Sequence, residues 1–271
     1  MIDDAIRIEQ RGAVRWLTLN RPRRRNALNS GIIDALNRQI DAVAADDETA
    51  VVVVRGDGES FCAGGDFTQF LESDDPRGPI DFLTQLSTCF SRIERSPKPW
   101  VAALHGHAIA GGLELALVCD VVVAAEGTLI GDGHLVNRLI PGGGSSVRLE
   151  RAVGKGWARW MHLTGDLVPA EQLIPTGWVR GVVARDELDT HVESLALRLA
   201  AARSPAQSAL KTLLADVFEM DADAALRREL EAFGDNWIDS NARSALQRFL
   251  RARGGATPDS SETREREALH G

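Results

Sequence analysis

The stretch WVAALHGHAIAGGLELALVCD, running from Trp100 to Asp120, decides how this chain is read. It opens as an apolar run, Trp100 to Ile109, that enters Gly111-Gly112. Beyond the glycines the spacing turns helical over Leu113 to Val118, with Leu113 and Leu117 one turn apart on one face. A strand that passes through glycines into a helix leaves the first helical N–H groups without internal partners, where they can meet an anion.

Working outward, Val14 to Leu19 reads as a strand ended by Asn20-Arg21-Pro22. Ser30 to Ala44 reads as a helix, with Asn29 or Ser30 as N-cap. Ala50 to Arg55 contains four consecutive valines, the pattern of a strand buried on both faces. Val121 to Ala124 is a short strand. Strands alternating with helices predict an α/β architecture. From Ser145 the pattern becomes mostly helical: Leu188, Val192, Leu195 and Leu199 form one buried stripe, and helices are expected over about 205–217, 222–237 and 242–253. There is no internal repeat. The stretch from Gly254 is small, polar and charged, and reads as a disordered tail, 254–271.

Composition narrows the function classes. The chain has 271 residues, 44% apolar and 26% charged, with a net charge of −8. That is the balance of a globular protein with a sizeable core. The acidic balance, without a basic aromatic-studded stretch, argues against nucleic acid as a partner. No apolar run reaches the roughly 18–20 residues that cross a bilayer, so no membrane association is expected. Cys62, Cys89 and Cys119 lack metal or redox spacing. The opening Met1-Ile2-Asp3-Asp4 lacks the pattern of a signal peptide, and a cytoplasmic protein is expected. No cluster of His, Cys, Asp and Glu suggests a metal site.

Two segments carry chemistry. Ser60-Phe61-Cys62-Ala63-Gly64-Gly65-Asp66 follows the valine strand, and its small residues let backbone N–H groups approach a ligand. Ala110-Gly111-Gly112-Leu113-Glu114 opens the helix. Two such donors converging on one oxygen would form an oxyanion hole. Each segment also has a plain reading: the glycines as a turn, Glu114 as a complement to the helix dipole. Residue types alone reach no further than an enzyme-like α/β domain.

The ordered set of motifs goes further. Asn20-Arg21-Pro22, Asn26-Ala27-Leu28, Phe61 to Asp66, His105 to Ala116, Cys119-Asp120, Pro141-Gly142-Gly143-Gly144 and Leu163-Thr164-Gly165 resemble the crotonase, or enoyl-CoA hydratase/isomerase, family in order and spacing. The resemblance runs from about Val14 to about Arg253. It implies an α/β fold: a crotonase-like ββα spiral core over 1–200, followed by a helical C-terminal trimerisation or lid region over 201–253. It also implies homotrimers or dimers of trimers. The spiral and the assembly come from the resemblance alone.

The resemblance implies that the thioester carbonyl of an acyl-CoA accepts two backbone N–H bonds, here from Ala63 and Gly111. Family hydratases use two glutamates around one water. Glu114 matches the first, three residues after Gly111. The second lies fourteen residues after the Cys-Asp aspartate and seven before the Pro-Gly; both counts land on His134, and Gly133-His134 stands where Pro-Glu is usual. His134 can act as general acid or base, pair with Glu114, bind a polar group on the acyl chain, or serve structure alone. Asp132 is a weaker substitute acid. His105 and His107 are read as structural and His162 as packed.

Substrate contacts implied by the resemblance include Ala27, Cys62, Gly64, Gly65, Asp66, Phe67 and Gly112, with Arg23, Arg24 and Arg25 toward the CoA phosphates. Phe249, Arg251 and Arg253 fall in the terminal helix, and Phe67 to Phe82 is expected to form the pocket's mobile side. The expected activity is a hydratase-like lyase acting through a stabilised enolate. Coenzyme A is part of the substrate and no cofactor is permanently bound. Alternatives are isomerase, decarboxylase, hydrolase or C–C lyase chemistry redirected by His134, or a non-catalytic acyl-CoA binder.

Overall fold

The computed structural model describes residues 5–71, 75, 77–218 and 220–254. The reading of Met1 to Asp4, the side chain of Arg253 and the expected tail beyond Gly254 fall outside what is described. Contacts divide the chain into two compact units that meet in sequence at Ser204 and Pro205.

The first unit begins with an antiparallel hairpin, β1 (Ile6–Arg11) and β2 (Val14–Leu19), turned at Gly12 with φ +55°. Helix α1 (Ser30–Ala45) starts at Asn29, whose side-chain oxygen accepts the Ile32 N–H. Then come β3 (Val51–Gly56), α2 (Phe67–Leu71), α3 (Gly78–Glu94), β4 (Trp100–Leu104), β5 (His107–Ile109), α4 (Gly111–Leu117), β6 (Val121–Ala125) and β7 (Leu129–Gly131). The unit closes with α5 (Ser145–Thr164), β8 (Val168–Pro169), β9 (Val179–Val183) and α6 (Leu188–Ala201).

Six strands form one sheet in the order β1-β2-β3-β4-β6-β9, parallel beyond the first hairpin; β5, β7 and β8 form a second. The winding follows from these pairings. Each of β4 and β6 lies in the large sheet, is followed at once by β5 or β7 in the small sheet, and then by α4 or α5. After β3, Cys62 bridges to Ala108 beside the small sheet before α2 and α3 begin. These repeated β-β-α turns are the spiral implied by the resemblance.

The consecutive valines are explained by a sheet covered on both faces. Val52 and Val54 point into a core with helices α1, α3, α4 and α5; Val51 and Val53 point to the opposite face, packed by Leu188, Val192 and Ala196 of α6. The run from Trp100 to Ile109 is two strands rather than one. Gly106, at φ +59°, breaks it, and a Cβ there would fall 1.9 Å from the Glu59 carbonyl oxygen. The second half is less helical than its sequence suggests, since β9 joins the large sheet through β6.

The second unit holds α7 (Pro205–Val217), α8 (Ala222–Asp239) and α9 (Ala242–Gly254). Asp221 caps α8 by accepting the Ala224 N–H. Leu226, Leu230, Phe233 and Trp237 recur along α8, all exposed. No helix among the described residues is long and apolar enough to cross a membrane.

The turn at Gly106 yields a test. Gly106→Ala adds both a left-handed-region cost and a backbone clash, so it should destabilise the fold by more than about 2 kcal/mol. Thermal unfolding should show a midpoint lowered by several degrees; an unchanged midpoint would refute the claim that only glycine fits there.

Candidate active site

The site grows from two backbone devices. In the loop after β3, the chain is pinned on both sides of Gly65: Leu28 N–H donates to the Gly64 carbonyl and Asp66 N–H to the Leu28 carbonyl, both at 2.8 Å. Gly64, at φ +111°, turns the loop against Ala110. At the start of α4, Ala110 holds φ +50° and ψ −116°, a conformation that costs a non-glycine residue on the order of 1–3 kcal/mol. Its N–H donates to the Gly131 carbonyl and that of Ile109 to the Cys62 carbonyl, both at 3.0 Å, so the small sheet and the loop bridged to it hold the turn.

These devices leave the N–H groups of Gly64, Gly65 and Gly111 without partners among the described residues. Those of Gly65 and Gly111 lie side by side: a Cβ at Gly111 would sit 3.4 Å from the Gly65 nitrogen. The Ala63 N–H, expected from its motif position to be the loop's donor, is already given to the Arg25 carbonyl at 3.0 Å. Of the two loop amides left, Gly64 and Gly65, the one whose nitrogen lies beside Gly111 is Gly65, two residues after Ala63. The sequence shows the small residues but not which amide the Arg25 carbonyl takes.

Glu114 lies on the first turn of α4, 1% exposed. Its Oε1 accepts the Gly143 N–H at 2.8 Å and the Ser145 N–H at 3.1 Å. A Cβ at Gly143 would fall 2.4 Å from Oε2, so any larger residue there would displace the carboxylate. Arg148 braces the same turn by donating to the Gly143 carbonyl at 3.2 Å while paired with Glu94 at 2.7 Å. Burial raises the Glu114 pKa above its ordinary value, opposed by the charge of His134 and by the two amides. Gly143 and Ser145 belong to a quoted motif or its edge, yet nothing in their residue types announced that they hold a carboxylate.

His134 follows β7 and faces the same cavity. Its Nδ1 is 3.1 Å from Asp132 Oδ1, an ion-pair distance although not a well-directed hydrogen bond. Burial disfavours its cation, but Asp132 and Glu114 outweigh that and its pKa is raised. Asp132, 2% exposed, accepts the Ser145 hydroxyl at 2.6 Å. Burial opposes its ionisation, yet His134 and Ser145 bring its pKa below the ordinary value. His162 of α5 also reaches Asp132 Oδ1, at 3.3 Å, so its position is more than packing.

The cavity of about 520 Å³ is lined by Ala63, Gly64, Gly65, Gly111, Glu114 and His134 at its reacting end. Phe67, Phe70, Phe82, Leu83, Leu86, Ile109, Leu139 and Ile140 form an apolar wall. Other expected contacts lie elsewhere. Cys62 is fully buried, its thiol pushed up to about 12 by burial. Gly112 is there for packing: a Cβ would meet the Cys62 carbonyl at 2.2 Å. The Asp66 carboxylate is taken by Arg21 at 2.7 Å and by the Thr68 N–H. Arg23, Arg24 and Arg25 are exposed around a 3-10 turn, and none lines the main cavity. Arg24 instead edges an open polar crevice with Asn29 and Ser30. Ala27 gives its carbonyl to Arg21. His105 bonds the Gly58 carbonyl and His107 the Ser60 hydroxyl, both structural. No cluster able to hold a metal ion occurs among the described residues.

Known proteins resemble this chain in sequence and fold. The enoyl-CoA hydratase/isomerase family model matches residues 9–255. The 2,3-dehydroadipyl-CoA hydratase of Escherichia coli is 34% identical, over 93% of this chain and 96% of that protein. The short-chain-enoyl-CoA hydratase of Clostridium acetobutylicum is 31% identical, over 91% and 94%. A crystal structure of an enoyl-CoA hydratase from Polaromonas superposes with TM-score 0.86 at 29% identity, covering 91% of this chain and 97% of that one. With the wound α/β core and paired glycine amides beside a buried glutamate, these likenesses show that the chain belongs to the enoyl-CoA hydratase/isomerase, or crotonase, family of enzymes.

Proposed function

We propose that the protein hydrates a 2-enoyl-CoA, with the Gly65 and Gly111 amides binding the thioester oxygen and Glu114 and His134 moving protons. The observation that carries this reading is Glu114 fixed by two amides in the same cavity as His134 and the Gly65 and Gly111 N–H groups. As hydroxide adds to the β-carbon, negative charge grows on the thioester oxygen. Fixed backbone dipoles stabilise it without reorganising, each donor contributing about 3–4 kcal/mol in comparable sites. Glu114, as carboxylate, takes a proton from the attacking water; His134, as imidazolium, gives one to the α-carbon. Coenzyme A belongs to the substrate, and no permanently bound cofactor enters the scheme.

The walls favour an uncharged acyl tail. Among the described lining residues the only ionisable side chains are Glu114 and His134, both at the reacting end. A second carboxylate, such as the E. coli relative's name specifies, would be buried without a cation. Hydration of trans-2-octenoyl-CoA should exceed that of 2,3-dehydroadipyl-CoA in kcat/KM by about tenfold or more. Activity should rise with pH through the raised Glu114 value, as its carboxylate forms. It should fall through the raised His134 value, as the imidazolium is lost. Loss of the conjugated thioester absorbance across pH 5.5–9 measures both; acyl-CoA binding without turnover would redirect the reading to decarboxylase, hydrolase or C–C lyase chemistry. Glu114→Gln should lower kcat at least about a hundredfold with little change in binding; near-normal turnover would remove it from the mechanism.

Self-association is part of the proposal. Leu226, Leu230, Phe233 and Trp237 of α8 are 42–71% exposed, more apolar surface than a lone helix leaves in water. A trimer or hexamer should appear in sedimentation, and a monomer at micromolar concentration would refute it. A cytoplasmic setting is proposed from Cys62, Cys89 and Cys119, all buried thiols outside any disulfide.

A further inference from the structure

Behind His134, away from the reacting atoms, a carboxylate gathers a hydroxyl and two imidazoles from three parts of the chain. Asp132 directly follows β7, which is tied to β5 on one side and β8 on the other. Gly133, at φ +62°, makes a tight turn in which a Cβ would lie 2.7 Å from Ile109 Cγ2, and the turn brings His134 back beside Asp132. Ser145, at the start of α5, donates its hydroxyl to Asp132 Oδ1 while its N–H donates to Glu114. His162, near the end of α5, places Nδ1 at the same Asp132 oxygen; its Nε2 is buried without a partner among the described residues. Nothing in the proton transfers described above uses Asp132 or Ser145.

We propose that Asp132 is a positioning residue: fixed by Ser145, its carboxylate holds His134 through Nδ1, so that Nε2 is the nitrogen presented to the substrate. This rests on the reading of His134 as the proton donor. The physical case is geometric. An imidazole on a short turn has freedom about two bonds, and only one of its nitrogens can serve the α-carbon. A buried carboxylate oxygen 3.1 Å from Nδ1, at ion-pair distance although the hydrogen bond is not well directed, favours a proton on Nδ1 and the ring position that keeps the pair close. The charged groups facing His134 are Asp132 from its own turn and Glu114 from α4, with His162 of α5 beyond Asp132. Two carboxylates around one imidazole favour its cation, which supports the assignment.

The competing reading is that Asp132 merely anchors the start of α5 through Ser145. Asp132→Asn separates the two, because the amide oxygen still accepts the Ser145 hydroxyl while the charge is gone. Imidazole NMR on the full-length protein, labelled at histidine nitrogen and assigned with His134→Gln, reads His134 whether or not any acyl-CoA turns over. In the wild type, neutral His134 should carry its proton on Nδ1 and should titrate above the ordinary value of about 6.5. In Asp132→Asn the titration should fall by about one pH unit or more. The alkaline limb of hydration should move down with it, and kcat should drop about tenfold or more with KM nearly unchanged. An Nε2-protonated neutral ring in the wild type, or the same His134 titration in Asp132→Asn, would overturn the proposal. Should Asp132→Asn fail to fold, the wild-type tautomer and titration still decide it. Absence of turnover with the expected titrations would instead refute only the hydratase reading.

Discussion

The buried carboxylate of Glu114 is the constraint around which the site is organised. An ionised carboxylate out of water is tolerated only where donors replace its hydration, and the chain supplies them from backbone. The Gly143 and Ser145 amides point at Oε1 from the turn at Pro141 to Ser145, where the absence of a Cβ at Gly143 leaves room for the carboxylate. Arg148 closes that turn from the other side and ties it through Glu94 to α3. The cost of burying Glu114 is therefore offset by local geometry reaching into three helices, and a change in any of them is felt at the carboxylate.

Two buried carboxylates that face the same histidine have opposite fates. Asp132 gathers partners that favour its charge, so its contribution to stability is present above its unfolded value and is lost as pH falls through its lowered native value. Glu114 is dominated by burial: its native pKa is raised, so stability is greatest below its unfolded value and is lost as pH rises through the native one. The form of Glu114 that can accept a proton is thus the form the fold favours less. His134 is also raised, and the stability it adds as a cation is lost as pH rises through its native value.

Much of this was legible in residue order. The valine strand, the Asn29 cap, the α6 stripe and the helices of the second unit follow from periodicity and capping chemistry, and each formed where expected. Glu114 and His134 were reached by counting along motifs. What escaped was decided by long-range pairing. The split at Gly106 and the placement of β9 in the large sheet depend on partners distant in sequence. His162 lies 30 positions from Asp132, and only the packing of α5 against the β7 turn brings them to one oxygen.

The oxyanion donors show the deepest limit of residue-type reasoning. Every residue from Cys62 to Asp66 carries an N–H, and the sequence ranks them only by size. Which amide remains for a ligand is narrowed by subtraction: Arg25 takes that of Ala63, His107 that of Cys62 and Leu28 that of Asp66, leaving Gly64 and Gly65, of which the Gly65 nitrogen is the one beside Gly111. Because this half of the site is backbone, its side chains are restricted only by space. The proton-transfer half is built from side chains, so exchanging one residue changes its chemistry outright. An imidazole at position 134 brings a cation where a carboxylate would bring an anion, and it requires a counter-charge that a carboxylate would not tolerate nearby. Asp132, already fixed by Ser145, supplies that charge, which makes position 134 intelligible only together with position 132.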